Sequence, residues 1–508
     1  MCARMSEQIP LALSPLVEAV RAVLPDDLTV YLVGGAVRDA LMGWASHDLD
    51  FVLAAHGIRT ARRVADSLKA DFFPLDPDRD TGRVIVTSPD GGRTMMDFAT
   101  FRGADLETDL KGRDFTINAL AMEIHSRQIH DPLRGGNDLK EKLLRTCSPD
   151  AFRDDPVRIL RAVRLSAAFG FQLVPETSQE MRAAVGSLEK VSVERIRDEL
   201  FRILEGPEPA ACLRALNQIG ALVQVLPEIG ALQGVEQPAP HVYDVWDHTL
   251  ATLRHLKSLL AVLAPNYDPD AASDWYLGLL ALRLGRYRQK FAEHFAAGLN
   301  VNRSLEGLLG LAALYHDVAK PTSRKVDENG QVRFWDHDQL GAEIAVARAR
   351  AFNLSNDEVD RLNLIVQNHM RILFHTNRLA GQAKLPSRRA VYRFFRDTHE
   401  AGVDIALMSL ADLRATYEHT LPQEIWSACL DICRLLLENW WEKPEESITP
   451  PVVLTGKDLL AEFDLMPGPK IGEILEAVRE AQAVGTVSTR QEALDLARQL
   501  LMKSTSPD

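Results

Sequence analysis

Hydrophobic residues change their period along this chain near residue 154. Before that point they fall into short β-type runs: "LTVYLVGG" (Leu28 to Gly35), "HDLDFVL" (His47 to Leu53) and "NALAMEIHSRQIHDP" (Asn118 to Pro132). "RVIVTSPDGGRTMMDFATFR" (Arg83 to Arg102) predicts a hairpin around its Pro-Asp-Gly-Gly turn. After it, "DDPVRILRAVRLSAAFGF" and "SVERIRDELFRIL" repeat apolar residues at helical spacing, and strand signals almost vanish. Pro- and Gly-rich breaks fall at Glu205 to Ala210, Leu263 to Asp274 and Trp441 to Pro451, the last being the clearest linker. The pattern predicts an α+β chain with a small α/β head over residues 1–140. A mostly helical neck follows over 141–240, then a helical body over 241–440 and a helical tail over 450–508.

Composition narrows the class. A chain of 508 residues with 46% hydrophobic and 25% charged residues reads as globular and multidomain, its apolar runs broken by charge before they could span a membrane. The first residues lack the basic, apolar and small-residue succession of a secretion signal, so a cytoplasmic location is expected. Five cysteines form neither a disulfide framework nor a zinc pattern, and Cys429 and Cys433, one helical turn apart, read as core. The net charge of −13 argues against indiscriminate coating of nucleic acid but permits a local basic RNA-binding face.

Asp48 and Asp50 stand two apart on a predicted strand, so both carboxylates leave one face and can share Mg²⁺. A solvated acidic edge has the same spacing. Upstream, Gly34 and Gly35 end a hydrophobic strand just before a helix, where bare backbone can approach phosphate, and Arg38 lies one turn further on. Asp97 sits among Met95, Met96 and Phe98, a poor place for a lone charge unless a metal or a donor compensates. Together these acids describe a two-metal site for in-line attack on a phosphate, with a buried structural role for Asp97 as the alternative.

"GGAVRDALMGWASHDLDF", "DLKGRDFTINALAM", "DPLRGGNDL", "DDPVRILRAVRLSAAFGF" and "SVERIRDEL" follow one another in the order and approximate spacing of a known family. The chain resembles the class II tRNA nucleotidyltransferases and poly(A) polymerases over its first two fifths. The resemblance implies that Asp48 and Asp50 hold catalytic Mg²⁺ and that Gly34, Gly35 and Arg38 embrace a triphosphate. It gives Arg113 and Asp114 to the sugar and Asp155 and Arg158 to the incoming base, with Glu194 bracing the templating arginine. A carboxylate accepts from the amino group of cytosine or adenine while guanidinium donors meet ring acceptors, which selects C and A over U and G. Arg161 and Arg164, on the same helix, are nucleotide-binding candidates or a solvated basic face. Gly112 stands where the family carries an arginine, and Asp154 where glutamate is common. Only a few residues separate "DFATFR" from "DLKGRDF". In the family, loss of a longer loop there goes with addition of only two cytidines.

The body carries His248, His316, Asp317, His337, His369 and Asp412 in the order H, HD, H, H, D. That set resembles the HD superfamily of metal-dependent phosphohydrolases. Adjacent His316 and Asp317 can both reach one ion, and mixed imidazole and carboxylate ligands suit Mn, Fe, Ni or Zn, with Mg²⁺ the remaining choice. Six ligands are enough for two ions acting on small phosphoesters or 2′,3′-cyclic ends. Lys320, one turn beyond, is a phosphate contact or a plain surface lysine. Near the end, "MPGPKIG" places Gly468, Lys470 and Gly472 at a helix start, which reads as an RNA phosphate contact or an ordinary capping turn. The segment around it resembles the tail of bacterial tRNA nucleotidyltransferases.

The expected function is template-independent building or repair of the CCA end of tRNA from CTP and ATP, with a phosphohydrolase in the same chain. The tRNA acceptor end is the expected partner. The alternatives are CC addition alone, poly(A) synthesis, and a hydrolase whose head has lost transfer activity.

Overall fold

The computed structural model describes residues 13–44, 46, 48–87, 93–271, 274–300 and 303–503. The Pro-Asp-Gly-Gly turn and the start of the chain lie outside them. Contacts divide the chain into two compact units, one running to Ser192 with Gln218–Gln224, the other comprising Val193–Asn217 and the chain from Val225 onward.

The first unit is organised by a seven-stranded sheet. Its strands are β1 (Val30–Val33), β2 (Asp48–Leu53), β3 (Asp71–Asp76), β4 (Thr81–Thr87), β5 (Arg93–Thr100), β6 (Ala121–Glu123) and β7 (Ile129–His130), in the order β3-β4-β5-β2-β1-β6-β7. Within this sheet, among the described residues, only β2 and β5 pair in parallel, in a register that sets Asp50 opposite Asp97 and Phe51 opposite Phe98. The pleat sends alternate residues to opposite faces. Leu49, Phe51 and Leu53 therefore join Val20, Val64, Met96 and Phe98 in the main core, where Phe51 and Phe98 stack at 4.7 Å. The other face carries Asp48, Asp50 and Val52, and its apolar cover is a small cluster of Val33, Val52, Leu110, Ala119 and Ala121. The acidic pair thus stands on the less covered side.

The second unit is helical, as its periodicity predicts. Helix Ala401–Tyr417 is buried from Ala401 to Thr416 and packs against helices Val245–Val262 and Asn356–Asn368. Cys429 and Cys433 are buried in helix Gln423–Trp441, as expected of core thiols. The few strands after residue 154 are short. A short hairpin pairs Arg324–Val326 with Val332–Phe334 around an Asp-Glu-Asn-Gly turn whose Gly330 has φ +76°. Its strands have three residues each, too short for alternation to register. Among the described residues no helix is long and apolar enough to cross a membrane.

Candidate functional sites

The glycine turn, the acidic strand and the templating motif meet within the first unit. Gly34 has φ +74°, a left-handed conformation that glycine adopts without strain, and it caps helix Gly35–Leu41. A Cβ there would stand 3.1 Å from Arg113 Nη1 and 3.6 Å from Asp50 Oδ2, so the missing side chain is the space in which these two groups approach the turn. Burial, and next the neighbouring Asp48 carboxylate, push the Asp50 carboxyl up to about 6, with Arg113 opposing. Asp50 is a carboxylate short of positive charge.

Asp97 has what Asp50 lacks. Arg83, from the adjacent strand β4, donates Nε to Asp97 Oδ1 at 2.7 Å and Nη2 to Oδ2 at 2.6 Å. The donor required by Asp97's apolar neighbours is therefore Arg83, found through the β4–β5 register that places the two opposite each other.

The supporting residues form one network. Arg113 donates to Asp109 Oδ2 through Nε and Nη2, while Asp109 Oδ1 accepts the Arg102 N–H. Helix Leu106–Lys111 is capped by Asp105, which accepts from Thr108 N. The short segment between the two family motifs is thus an ordered helical turn held by Asp109. Asp114 accepts from Asn118 Nδ2 and Phe115 N and pairs with Arg161 Nε; although burial by itself raises its pKa, Arg161 and these donors hold the carboxyl below its ordinary value. Arg158 donates to the carbonyls of Ala151 at 3.2 Å and Gly112 at 2.8 Å, and its Nε lies 3.9 Å from Asp155 Oδ2. Gly112, the departure from the family pattern, contributes its carbonyl.

Arg38 and Glu194 have partners within their own units. Arg38 is buried, donating to Asn118 Oδ1 and Asp39 Oδ1 and lying 4.5 Å over the Phe169 ring, so its guanidinium braces the turn from behind. Glu194 belongs to the second unit, where it accepts from Asn353 Nδ2. Arg164 lies half-buried on helix Arg158–Phe169. Lys470 stands in the first turn of helix Pro469–Val484, 3.7 Å from Glu473. Asp131, in "DPLRGG", accepts from the N–H groups of Gly135 and Gly136 and so caps a helix.

In the second unit all six expected ligands converge, four of them at helix ends. His248 lies in the first turn of helix Val245–Val262, and His316 and Asp317 follow helix Leu305–Tyr315. His337 opens helix His337–Ala351, His369 ends helix Asn356–Asn368, and Asp412 projects from the central helix. The Nδ1 atoms of His316, His337 and His369 bond to the carbonyls of Ala313, Phe334 and Val366 at 2.8, 2.8 and 2.7 Å. A carbonyl only accepts, so each Nδ1 carries a proton and each ring presents Nε2 to the neighbouring ligand atoms. The ligand atoms form two groups, His248, His316 and Asp412, and Asp317, His337 and His369. The two groups adjoin at His316 and Asp317, where Asp317 Oδ2 lies 3.2 Å from His316 Nε2. Nε2 of His337 and of His369 is buried without a hydrogen bond, 3.5 and 3.9 Å from Asp317 Oδ1. Buried orphan lone pairs facing a carboxylate fit divalent cations and fit little else. Lys320 is buried rather than a surface lysine, its Nζ 2.6 Å from both Asp317 Oδ2 and Gln237 Oε1. His241 was not singled out in the sequence; its ring lies 5.3 Å from that of His248.

Four family models match the chain. Residues 30–145 match the poly A polymerase head domain and 170–232 an RNA- and SrmB-binding region of polymerase A. Residues 275–394 match the HD domain and 449–497 a second domain of tRNA nucleotidyltransferases. The HD match stops short of His248 and Asp412, which geometry adds. An A-adding tRNA nucleotidyltransferase of Deinococcus radiodurans is 32% identical over 91% of this chain and 93% of its own. A CC-adding tRNA nucleotidyltransferase of Thermus thermophilus is 31% identical over 91% of each. The fold is similar to that of a CCA-adding enzyme solved with CTP, with a TM-score of 0.56 at 19% identity over 97% of both chains.

Proposed function

The chain belongs to the tRNA nucleotidyltransferase family, and on that premise we propose that it builds or repairs the CCA end of tRNA from CTP and ATP in the cytoplasm. We assign residues 1–140 to nucleotidyl transfer, 141–240 to base selection and RNA contact, 241–440 to phosphoester hydrolysis and 450–508 to tRNA contact.

The observation that carries transfer is the approach of Asp50 and Arg113 to the bare Gly34 turn, with Asp97 opposite Asp50 on the neighbouring strand. Asp48 and Asp50 are the ligands for Mg²⁺, and the pKa of Asp50 marks it as a carboxylate that a cation would stabilise. Arg113 donates to phosphate or sugar oxygens while Asp109 fixes its plane, and Asp155 and Arg158 face the base. Arg38, engaged by Asn118 and Asp39, positions the turn. The tRNA 3′ oxygen attacks the α-phosphorus, the bond to the bridging oxygen breaks, and pyrophosphate leaves with its electron pair. In the second unit water oxygen joins a phosphorus, a P–O bond to ribose opens, and the released oxygen takes the proton. When bound, divalent cations supply charge that neutralises phosphate oxygens at both sites and activates water at the second. Mixed imidazole and carboxylate ligands there favour Mn, Fe, Ni or Zn.

The ordered turn at residues 105–112 favours one second reading, CC addition alone, because it leaves no long loop to reshape the site for ATP. Incubating the protein with tRNA ending at the discriminator base or at CC, with CTP, ATP or both, and sequencing the ends separates the two. Complete CCA supports the first reading and arrest at CC the second; A addition only to ends already carrying CC, or long A runs on any RNA, overturns both.

A further inference from the structure

Beside the metal-ligand clusters lies an aromatic and cationic rim that no function described above uses. It belongs to the hairpin Arg324–Val326 and Val332–Phe334 and the turn that follows. Phe334 ties this hairpin to the site twice: its carbonyl fixes the tautomer of His337, and Lys320 Nζ, 2.6 Å from Asp317, lies 5.5 Å from the centre of its ring. The next residue, Trp335, is 52% exposed. Lys325 Nζ stands 5.8 Å from the Trp335 ring centroid. Trp335 is two residues from the ligand His337, so their Cα atoms are separated by at most about 7.6 Å.

Rings with an open face beside lysines are what nucleotides bind: the base stacks on the ring, and the cations meet phosphate. A phosphate drawn toward the Asp317 and His337 cluster would leave its base within reach of Trp335. An inorganic or sugar phosphate would gain nothing from that ring. From this arrangement we infer that Trp335 and Lys325 form a base-stacking subsite that makes the helical centre select phosphoesters carrying a nucleobase. This deepens the hydrolase assignment and rests on it.

The test uses the full-length, metal-loaded protein. The ratio of kcat/KM for adenosine 2′,3′-cyclic phosphate to that for bis(p-nitrophenyl) phosphate is compared between the wild type, Trp335→Ala, Trp335→Phe and Lys325→Gln. Trp335→Ala is expected to lower the ratio about 5- to 100-fold, the range of one stacked base, through KM. Trp335→Phe retains most of it and Lys325→Gln loses a smaller part. Binding of 3′-adenylate, read by equilibrium dialysis in the Asp48→Asn background to weaken the head's nucleotide site, should weaken by a similar factor in Trp335→Ala. An unchanged ratio and unchanged binding overturn the subsite. Loss of hydrolysis in His316→Ala separates this from failure of the hydrolase assignment: if His316→Ala hydrolyses normally, the assignment itself falls. A tRNA ending in a 2′,3′-cyclic phosphate, run beside the mononucleotide, distinguishes an RNA terminus from a free nucleotide as the source of the base.

Discussion

The two sites solve the same problem, holding negative phosphate beside activated oxygen, with opposite materials. The head gathers carboxylates on strands and balances them with arginines: Asp97 with Arg83, Asp114 with Arg161, and Arg113 beside Asp50. The helical centre gathers imidazoles at helix ends and balances two carboxylates with one lysine and hydrogen-bonded rings. The difference teaches that cation preference follows from which backbone builds the site. Strand positions two apart give hard oxygen pairs, whereas helix ends supply the carbonyls that set histidine tautomers.

The sharpest way to break this comparison is to disable each site alone. Asp50→Asn should lower nucleotide incorporation by on the order of 10³-fold, measured with CTP on tRNA lacking CCA, and leave transition-metal content unchanged. The converse, Asp317→Asn, should lower metal affinity by about 10- to 100-fold, read by metal analysis after dialysis, with incorporation intact. Equal damage to both activities from either variant would show that the sites are not independent.

Smaller effects sharpen the contrast. Arg83→Met leaves Asp97 without its bidentate donor; because the pair is partly solvated, with side chains 26% and 16% exposed, the loss should be about 1–2 kcal/mol in denaturant unfolding. Asp50 also predicts a pH dependence. Its carboxyl, raised to about 6, is ionised above that pH and protonated below it, and only the ionised form binds a cation. Titration calorimetry should find Mg²⁺ affinity at the head nearly constant above about pH 7 and falling by up to about tenfold per unit below pH 6. A fall that begins only near pH 4 would mean that Arg113 outweighs burial.

How much of this was legible in sequence depended on the range of the interaction. The Asp48 and Asp50 pair could be read because strand periodicity is local, and so could the six helical ligands, whose order is linear. Arg83 could not be assigned to Asp97, because their meeting depends on the register of β4 on β5. Asn118 lay inside a quoted motif, yet its bonds to Arg38 and Asp114 exist only once the chain has turned. Trp335 was not singled out in the sequence, because its exposure depends on the folded chain.

The carbonyls of Ala313 and Val366 that fix His316 and His369 belong to the last turns of their helices, where hydrogen bonds fray first. When such a turn opens, the ring loses its anchor and can exchange its tautomer, so a ligand becomes a stranger to its metal without any side chain having been altered. Release of the cation should therefore keep time with amide exchange at these helix ends, making metal loss a clock for local opening in the interior of the protein.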